Sequence, residues 1–549
     1  MNLNQPAVQE NMKKISTGLA LTLSEEQAKI HTYITIIFRF QGDFQSITDS
    51  IDIKSVELLN GFAVATASPD QIRRLSKLSQ ILYIDLTRQL EYEQAVSPAS
   101  RTQACFPVFD PAGTILKGDG ILVGIIDSGI DFYHPAFLRA NGDSSIITYW
   151  DQNNSGTPPE PYGFGNELGQ HQINSLIRTM RKHLPPDPDG HGTAVTSIIT
   201  ALSPDTDIIG VAAQPDTASF LCAIDYAVRY ARSASRPLVL NLSYGNNYGA
   251  HDGSSLVEQY LDLLPASDKI TVVTGTGNEG GSGRHTHIDA RKNRKMQILV
   301  SPGIQIFNLQ LWSEFSTPYR FRIRSPYGGF SEDIVSTSHG SFRAFTLSGT
   351  DIRIQIGLPS PYSTKQEIFL QFEGGDRLSG NWDFVFYPVL SSDFHIDAWL
   401  PVAASTSSSL MFESPDTELT LTIPSTAATA ITVGAYDSRR QTIAPFSGQG
   451  AAAIQKPDLV APGVDILVAN SGGGYRILSG TSFAVPFVSA ACANLMQWGI
   501  TDQNDPFLFA SRLKAYLRRG AIPLIGTEIP NPQSGWGRLC ADNSLPPSG

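Results

Sequence analysis

The chain has 549 residues, of which 40 are basic and 51 acidic, for a net charge of −11 at pH 7. Apolar residues at 41% and charged residues at 17% are the balance of an ordinary globular protein with room for several domains. The acid excess argues against a nucleic-acid partner, and no apolar stretch reaches the ~18 to 20 residues of a membrane span.

Residues 1–30 contain Lys13 and Lys14 but no sustained apolar run followed by a small-residue cleavage site, so no secretory signal is visible. The expectation is a protein that stays inside its cell, with leaderless export left open. Residues 32–40, 55–65 and 81–86 are apolar and β-prone. Between the last two, Ser68-Pro69-Asp70-Gln71 opens a helix: Ser68 caps, Pro69 fits the first turn, and Ile72, Leu75 and Leu78 follow at helical spacing. These pieces predict a small α/β unit within residues 1–95. Residues 91–102 are polar, small and proline-bearing, the composition of an exposed, cuttable linker.

A continuous apolar run then ends in Val123-Gly124-Ile125-Ile126-Asp127-Ser128-Gly129, the pattern of a parallel strand covered on both faces, with Asp127 at its carboxyl end. Residues 238–243 and 270–274 repeat it, and Thr276-Gly277-Asn278-Glu279-Gly280 follows the second. In open parallel sheets the functional crevice lies beyond the carboxyl ends of the strands. Asp189-Gly190-His191-Gly192-Thr193 and Gly480-Thr481-Ser482-Phe483-Ala484-Val485-Pro486 each open an apolar helix. Pro486 is assigned to the first turn of the second, where a missing N–H costs little.

From 284 to 422 the text changes to short β-prone pieces, at 297–300, 305–311, 320–323, 352–356, 367–372 and 382–389, punctuated by Gly, Pro and Ser. Such spacing predicts an inserted antiparallel sandwich or jelly roll. Parallel-sheet text resumes at Ile431-Thr432-Val433-Gly434-Ala435 and Lys456-Pro457-Asp458-Leu459-Val460-Ala461-Pro462-Gly463.

A serine hydroxyl is a weak nucleophile that needs a neutral imidazole to take its proton and a carboxylate to orient that imidazole. The chain order Asp127, His191, Ser482 is one in which such a triad is assembled. With the Asn278 block, these segments resemble the subtilases. The resemblance implies an α/β fold with a subtilisin-like parallel sheet, helices on both faces, and a serine endopeptidase made as a self-processing precursor.

It further implies Ser482 as nucleophile, His191 as base, Asp127 as its orienter and Asn278 as oxyanion donor. Substrate would add as a strand along Ser243, Tyr244 and Gly245, with Tyr244 where a leucine is expected. The Asn60-Gly61-Phe62-Ala63 block matches the family's inhibitory prodomain. The domain reading is then 1–95 prodomain, 96–283 first catalytic part, 284–422 insertion and 423–549 second catalytic part. The interval between Asn278 and Ser482 is more than twice what the family leads one to expect, and the insertion accounts for it. An all-β insertion with a leader of this kind resembles the clostridial germination (Csp-type) subtilases, whose family role is to activate a cortex-lytic precursor in spores. A cytoplasmic or spore-associated location follows.

The partners expected are a protein or peptide substrate and the chain's own prodomain. No cofactor is required; calcium is a family expectation only, since no Asp-rich loop has the EF-hand pattern. Glu279 is a candidate for recognising a basic residue, or else a solvated carboxylate. His285 and His287 have a spacing that suits a metal on one strand face, but no third ligand is nearby, and a solvated loop is expected. His134 is read as structural. Cys105, Cys222, Cys492 and Cys540 are read as free thiols, with a Cys105–Cys540 bridge left open. The rival to a protease is a pseudoprotease sensor or scaffold with the prodomain kept in its cleft, although no triad member is missing.

Overall fold

The structure, a computed structural model, describes residues 12–25, 33–92, 105–179, 186–389, 393–405 and 410–546. Most of the predicted linker, from 93 to 102, and most of residues 1–30 lie outside them. The chain divides into two compact units, one of Met1–Arg88, Asn246–Leu256 and Ser282–Leu419, the other of Gln89–Gly245, Val257–Gly281 and Thr420–Gly549.

In the first unit an antiparallel sheet runs in the order Lys54–Leu58, Phe62–Ala67, Ile34–Phe40, Ile81–Leu86. The block read as one strand at 55–65 is two, because Asn60 (φ 61°) and Gly61 (φ 75°) turn the chain between them. A Cβ on Gly61 would lie 2.7 Å from the Phe40 carbonyl oxygen, so this turn requires glycine. Helix Pro69–Lys77 has the predicted cap: Ser68 accepts from the Gln71 N–H and the Gln71 side chain accepts from the Ser68 N–H. A helix the sequence reading missed, Phe44–Ile51, is capped by Asp43 and buries Ile47 and Ile51.

The same unit holds the insertion, in which a six-stranded and a five-stranded antiparallel sheet enclose one apolar core that includes Phe321, Leu370, Trp382 and Phe384. Helix Thr17–Glu25 packs on its strands Thr350–Ile356 and Lys365–Glu373. The approach is close enough that a Cβ on Gly357 would fall 2.1 Å from Thr17 Oγ1. Buried in this contact, Glu367 is pushed up to about 7 by burial, against the pull of Arg88 and a hydrogen bond with Thr17.

The expectation of a solvated loop at 285–287 is corrected. His285–Asp289 is a strand paired with His395–Trp399. His285 Nε2 at 3.3 Å and His287 Nδ1 at 2.8 Å both meet Asp397 Oδ1. One cross-strand carboxylate thus pairs with both rings.

In the second unit, strands Ile146–Asp151, Asp207–Ala212, Leu122–Asp127, Leu238–Leu242, Ile270–Gly275 and Ile431–Asp437 lie side by side and parallel, and Leu459–Pro462 also joins Ile431–Asp437 in parallel. Leu122–Asp127, Leu238–Leu242 and Ile270–Gly275 are buried at every position, as continuous apolar runs require. The expectation that no apolar stretch reaches a membrane span is corrected by the helix Thr481–Thr501, which is long and apolar enough by length and composition alone, although 89% of its apolar window is buried within the protein. Pro486 lies past its first turn, so it cannot donate to the Ser482 carbonyl. Asp458, buried with Lys456, Lys514 and Arg518 around it, anchors the carboxyl-terminal helix Ala510–Gly520.

The free-thiol reading is corrected for two of the four cysteines, where the bridge left open is the one formed. Cys105 and Cys540 form a disulfide, joined also by an isolated β-bridge, with Cα atoms 4.7 Å apart. The bridge spans 435 residues of sequence. Cys222 and Cys492 are free and buried.

Candidate active site

Asp127 ends its strand, His191 opens helix His191–Leu202, and Ser482 is the second residue of helix Thr481–Met496. All three are fully buried. Asp127 Oδ1 lies 2.7 Å from His191 Nδ1 and accepts from the Ser128 N–H at 2.8 Å. Because a carboxylate only accepts, the neutral ring carries its proton on Nδ1 and presents a lone pair at Nε2. That Nε2 has no partner among the described residues. The Ser482 hydroxyl donates instead to the Ser243 carbonyl at 3.5 Å, a long contact that a rotation about χ1 would release.

Burial opposes charging the His191 ring, but the adjacent Asp127 carboxylate outweighs it, with Asp189 and Asp187 adding, and holds the imidazole above its ordinary range.

The glycines around His191 act on the chain itself. Gly190 takes φ 77°, and a Cβ on Gly192 would sit 2.1 Å from the Gly129 carbonyl oxygen and 2.9 Å from Asp127 Cβ. The helix can begin against the strand end only because this atom is absent.

Asp187 is a residue the sequence reading passed over. Fully buried, it accepts from the N–H groups of Gly190 (2.9 Å) and Thr193 (2.8 Å) and from the hydroxyls of Thr193 (2.6 Å) and Ser128 (2.8 Å). Ser128 Oγ in turn accepts from the Gly192 N–H at 2.9 Å. One carboxylate thus ties the start of the histidine helix to the residue after Asp127. Its signal was a carboxylate just ahead of a helix start.

Asn278 follows Gly277 at φ 81°, beyond the end of its strand. Its Oδ1 accepts from the N–H and the hydroxyl of Thr481, each at 3.1 Å, while its buried Nδ2 has no partner among the described residues. An amide held by its oxygen, with its donor left free beside the nucleophile's helix, is the arrangement an oxyanion donor requires. Glu279 is 5% exposed, which corrects the solvated reading.

Tyr244–Gly245 forms a strand pair with Glu91–Tyr92, so the first residues of the predicted linker are not exposed there. Leu90 is buried and its N–H donates to the Pro215 carbonyl at 2.8 Å, and Gln89 bridges Asp216. The segment Gln89–Tyr92 therefore lies between two backbone edges, as an added strand does. Tyr92 stacks on His191 with centroids 4.8 Å apart. His134 is buried, caps the turn Pro135–Phe137 and meets the Gly474 carbonyl at 2.8 Å. Among the described residues no group of three or more His, Cys, Asp or Glu side chains is arranged to hold a metal.

The profile of the Subtilase family matches residues 118–304 and 333–537, and that of the Csp protease B prodomain matches residues 1–87. The chain is similar to the structure of the Clostridium perfringens CspB protease at 29% identity and a TM-score of 0.72, over 78% of this chain and 93% of that one. Minor extracellular protease Vpr of Bacillus subtilis (strain 168) is 22% identical over 79% of this chain and 52% of its own length. Serine protease AprX of the same organism is 31% identical over 24% of this chain and 33% of its own. The chain spans about half or less of the length of these two curated relatives. With a subtilase profile over most of its length and a Csp-type prodomain ahead of it, the chain belongs to the subtilase family, in its Csp-type branch.

Proposed function

We propose that this subtilase is a serine endopeptidase, made as a precursor that cuts itself one residue beyond Tyr92, between Glu93 and Gln94, and then cleaves another protein. Ser482 attacks the peptide carbonyl, and His191 Nε2 takes its proton and passes it to the leaving amine. Asp127 holds the ring and its charge, and Asn278 Nδ2 with the Ser482 N–H receives the oxyanion. The observation that carries this reading is an imidazole fixed at 2.7 Å by a buried carboxylate, with its Nε2 unpartnered among the described residues, beside the chain's own strand Glu91–Tyr92 paired along Tyr244–Gly245 as a substrate strand would be. Gln89–Tyr92 slows entry to the site until it leaves.

The finer role we propose is activation of one dedicated precursor in spore germination. Its support is the Csp-type prodomain and the likeness to the CspB protease. Fluorophosphonate labelling tests the chemistry: modification of Ser482 is expected, and an unlabelled folded protein overturns the reading. Unfolded casein tests the role: inertness towards it is expected of a dedicated enzyme, and broad cleavage contradicts that assignment.

A further inference from the structure

We propose that the slot between His191 and Tyr244 is a subsite that selects a tyrosine in the substrate, with Tyr244 as the residue that sets the preference; this rests on the peptidase reading above.

The slot is formed around Tyr92. Its ring lies 4.8 Å from His191 at an interplanar angle of 29° and 4.7 Å from Tyr244 at 34°. The hydroxyls of Tyr92 and Tyr244 are 2.9 Å apart. Tyr244 is fully buried, and Phe220 meets it edge-on at 5.8 Å and 76°, which fixes the plane of the ring. Among the described residues the Tyr244 hydroxyl has one hydrogen bond, and Tyr92 supplies it. Burial and then Tyr92 raise the Tyr244 phenol well above its ordinary range, so it stays neutral and can donate or accept.

These contacts separate side chains by class. A tyrosine fills the slot and pairs the buried hydroxyl. Phenylalanine keeps the stack but leaves that hydroxyl unpaired, a loss a site built for a substrate hydroxyl does not tolerate freely. Alanine loses both. Leucine at this position of the strand, as the family leads one to expect, would offer no hydroxyl to pair with. Tyr244 in its place makes the wall selective.

Register locates the selected residue. Glu91 pairs with Gly245 and Tyr92 with Tyr244, so the next substrate residue faces Ser243, whose carbonyl receives the Ser482 hydroxyl. The tyrosine is therefore the second residue on the amino side of the cleaved bond.

The test uses the full chain, with Ser482 labelling by fluorophosphonate as its control. Peptides in the order Gln-Leu-Glu-X, followed by a mixed residue and a fluorogenic amide, are compared with X as Tyr, Phe or Ala. Tyr is expected to exceed Phe in kcat/KM by about tenfold, the scale of one net hydrogen bond, and Phe to exceed Ala. Tyr244→Phe is expected to erase the Tyr-over-Phe ratio while keeping the preference for either over Ala. Equal cleavage of the three by wild type, or an unchanged ratio in Tyr244→Phe, with Ser482 labelled in both, overturns the subsite. An unlabelled Ser482 with no cleavage overturns the peptidase reading beneath it instead.

Discussion

Tyr92 lies flat against His191, ring on ring at 4.8 Å, so the residue that would hold the proton in catalysis is covered by the chain's own strand. The cover is held by that stack, by the hydroxyl pair with Tyr244 and by the strand pairing of Glu91 with Gly245. Tyr92→Ala removes the first two, together worth about 1–3 kcal/mol. Fluorophosphonate labelling of Ser482 is expected to quicken by roughly tenfold or more. Equal labelling rates would mean that Tyr92 does not hold the strand down.

Asn278 is oriented by Thr481, which engages its carbonyl oxygen twice and leaves Nδ2 free. Asn278→Ala is expected to lower kcat by about 10²–10³ with KM little changed, because the donor acts on charge that appears only in the transition state. Steady-state kinetics on a cleaved peptide decides it. A loss confined to KM would place Asn278 in ground-state binding.

The pH profile follows from His191. The base must be neutral to accept the Ser482 proton, so kcat/KM rises as pH passes upward through the His191 pKa. Asp127 raises that value, which puts the acid limb above the ordinary histidine value of ~6.5. In Asp127→Asn burial acts without the carboxylate, so the limb is expected to move down while kcat falls by about 10⁴. An unmoved limb would show that a different group controls it.

Much of this site could be read from the sequence because each member sits in a short block with its own local reason: an apolar strand ending in Asp127, glycines about His191, a helix opening at Ser482. The insertion was visible as strands spaced by turn residues. What escaped depends on partners far along the chain. His285–Asp289 read as a loop because its partner, His395–Trp399, lies beyond the reach of local pattern. Glu91–Tyr92 is too short to show alternation, and its composition is that of a linker until the edge Tyr244–Gly245 is beside it. Likewise, nothing near Cys105 or Cys540 tells that their backbones run side by side.

Asp458 carries an acid-stability prediction. It is fully buried, and although burial would raise its pKa, Lys456, Lys514 and Arg518 outweigh burial and lower it to about 2. An unfolded aspartate titrates near ~3.9. The stabilisation is therefore present above pH ~4 and lost as pH falls towards ~2, an effect of about 2–3 kcal/mol. Asp458→Asn removes the carboxylate that Lys456, Lys514 and Arg518 share and is expected to cost about 3–5 kcal/mol at neutral pH, with a flatter loss of stability in acid. Urea unfolding across this pH range measures both; identical curves for the two proteins contradict the assignment.

The central claim, hydrolysis by Ser482 with His191 and Asp127, is tested most directly by mass-spectrometric mapping of the N-terminus in purified wild type and Ser482→Ala. Loss of the nucleophile lowers turnover by about 10⁶, so wild type is expected to show a new N-terminus at Gln94 and the variant to remain one uncut chain. Wild type that stays uncut, or a variant cut at the same bond, would contradict the account.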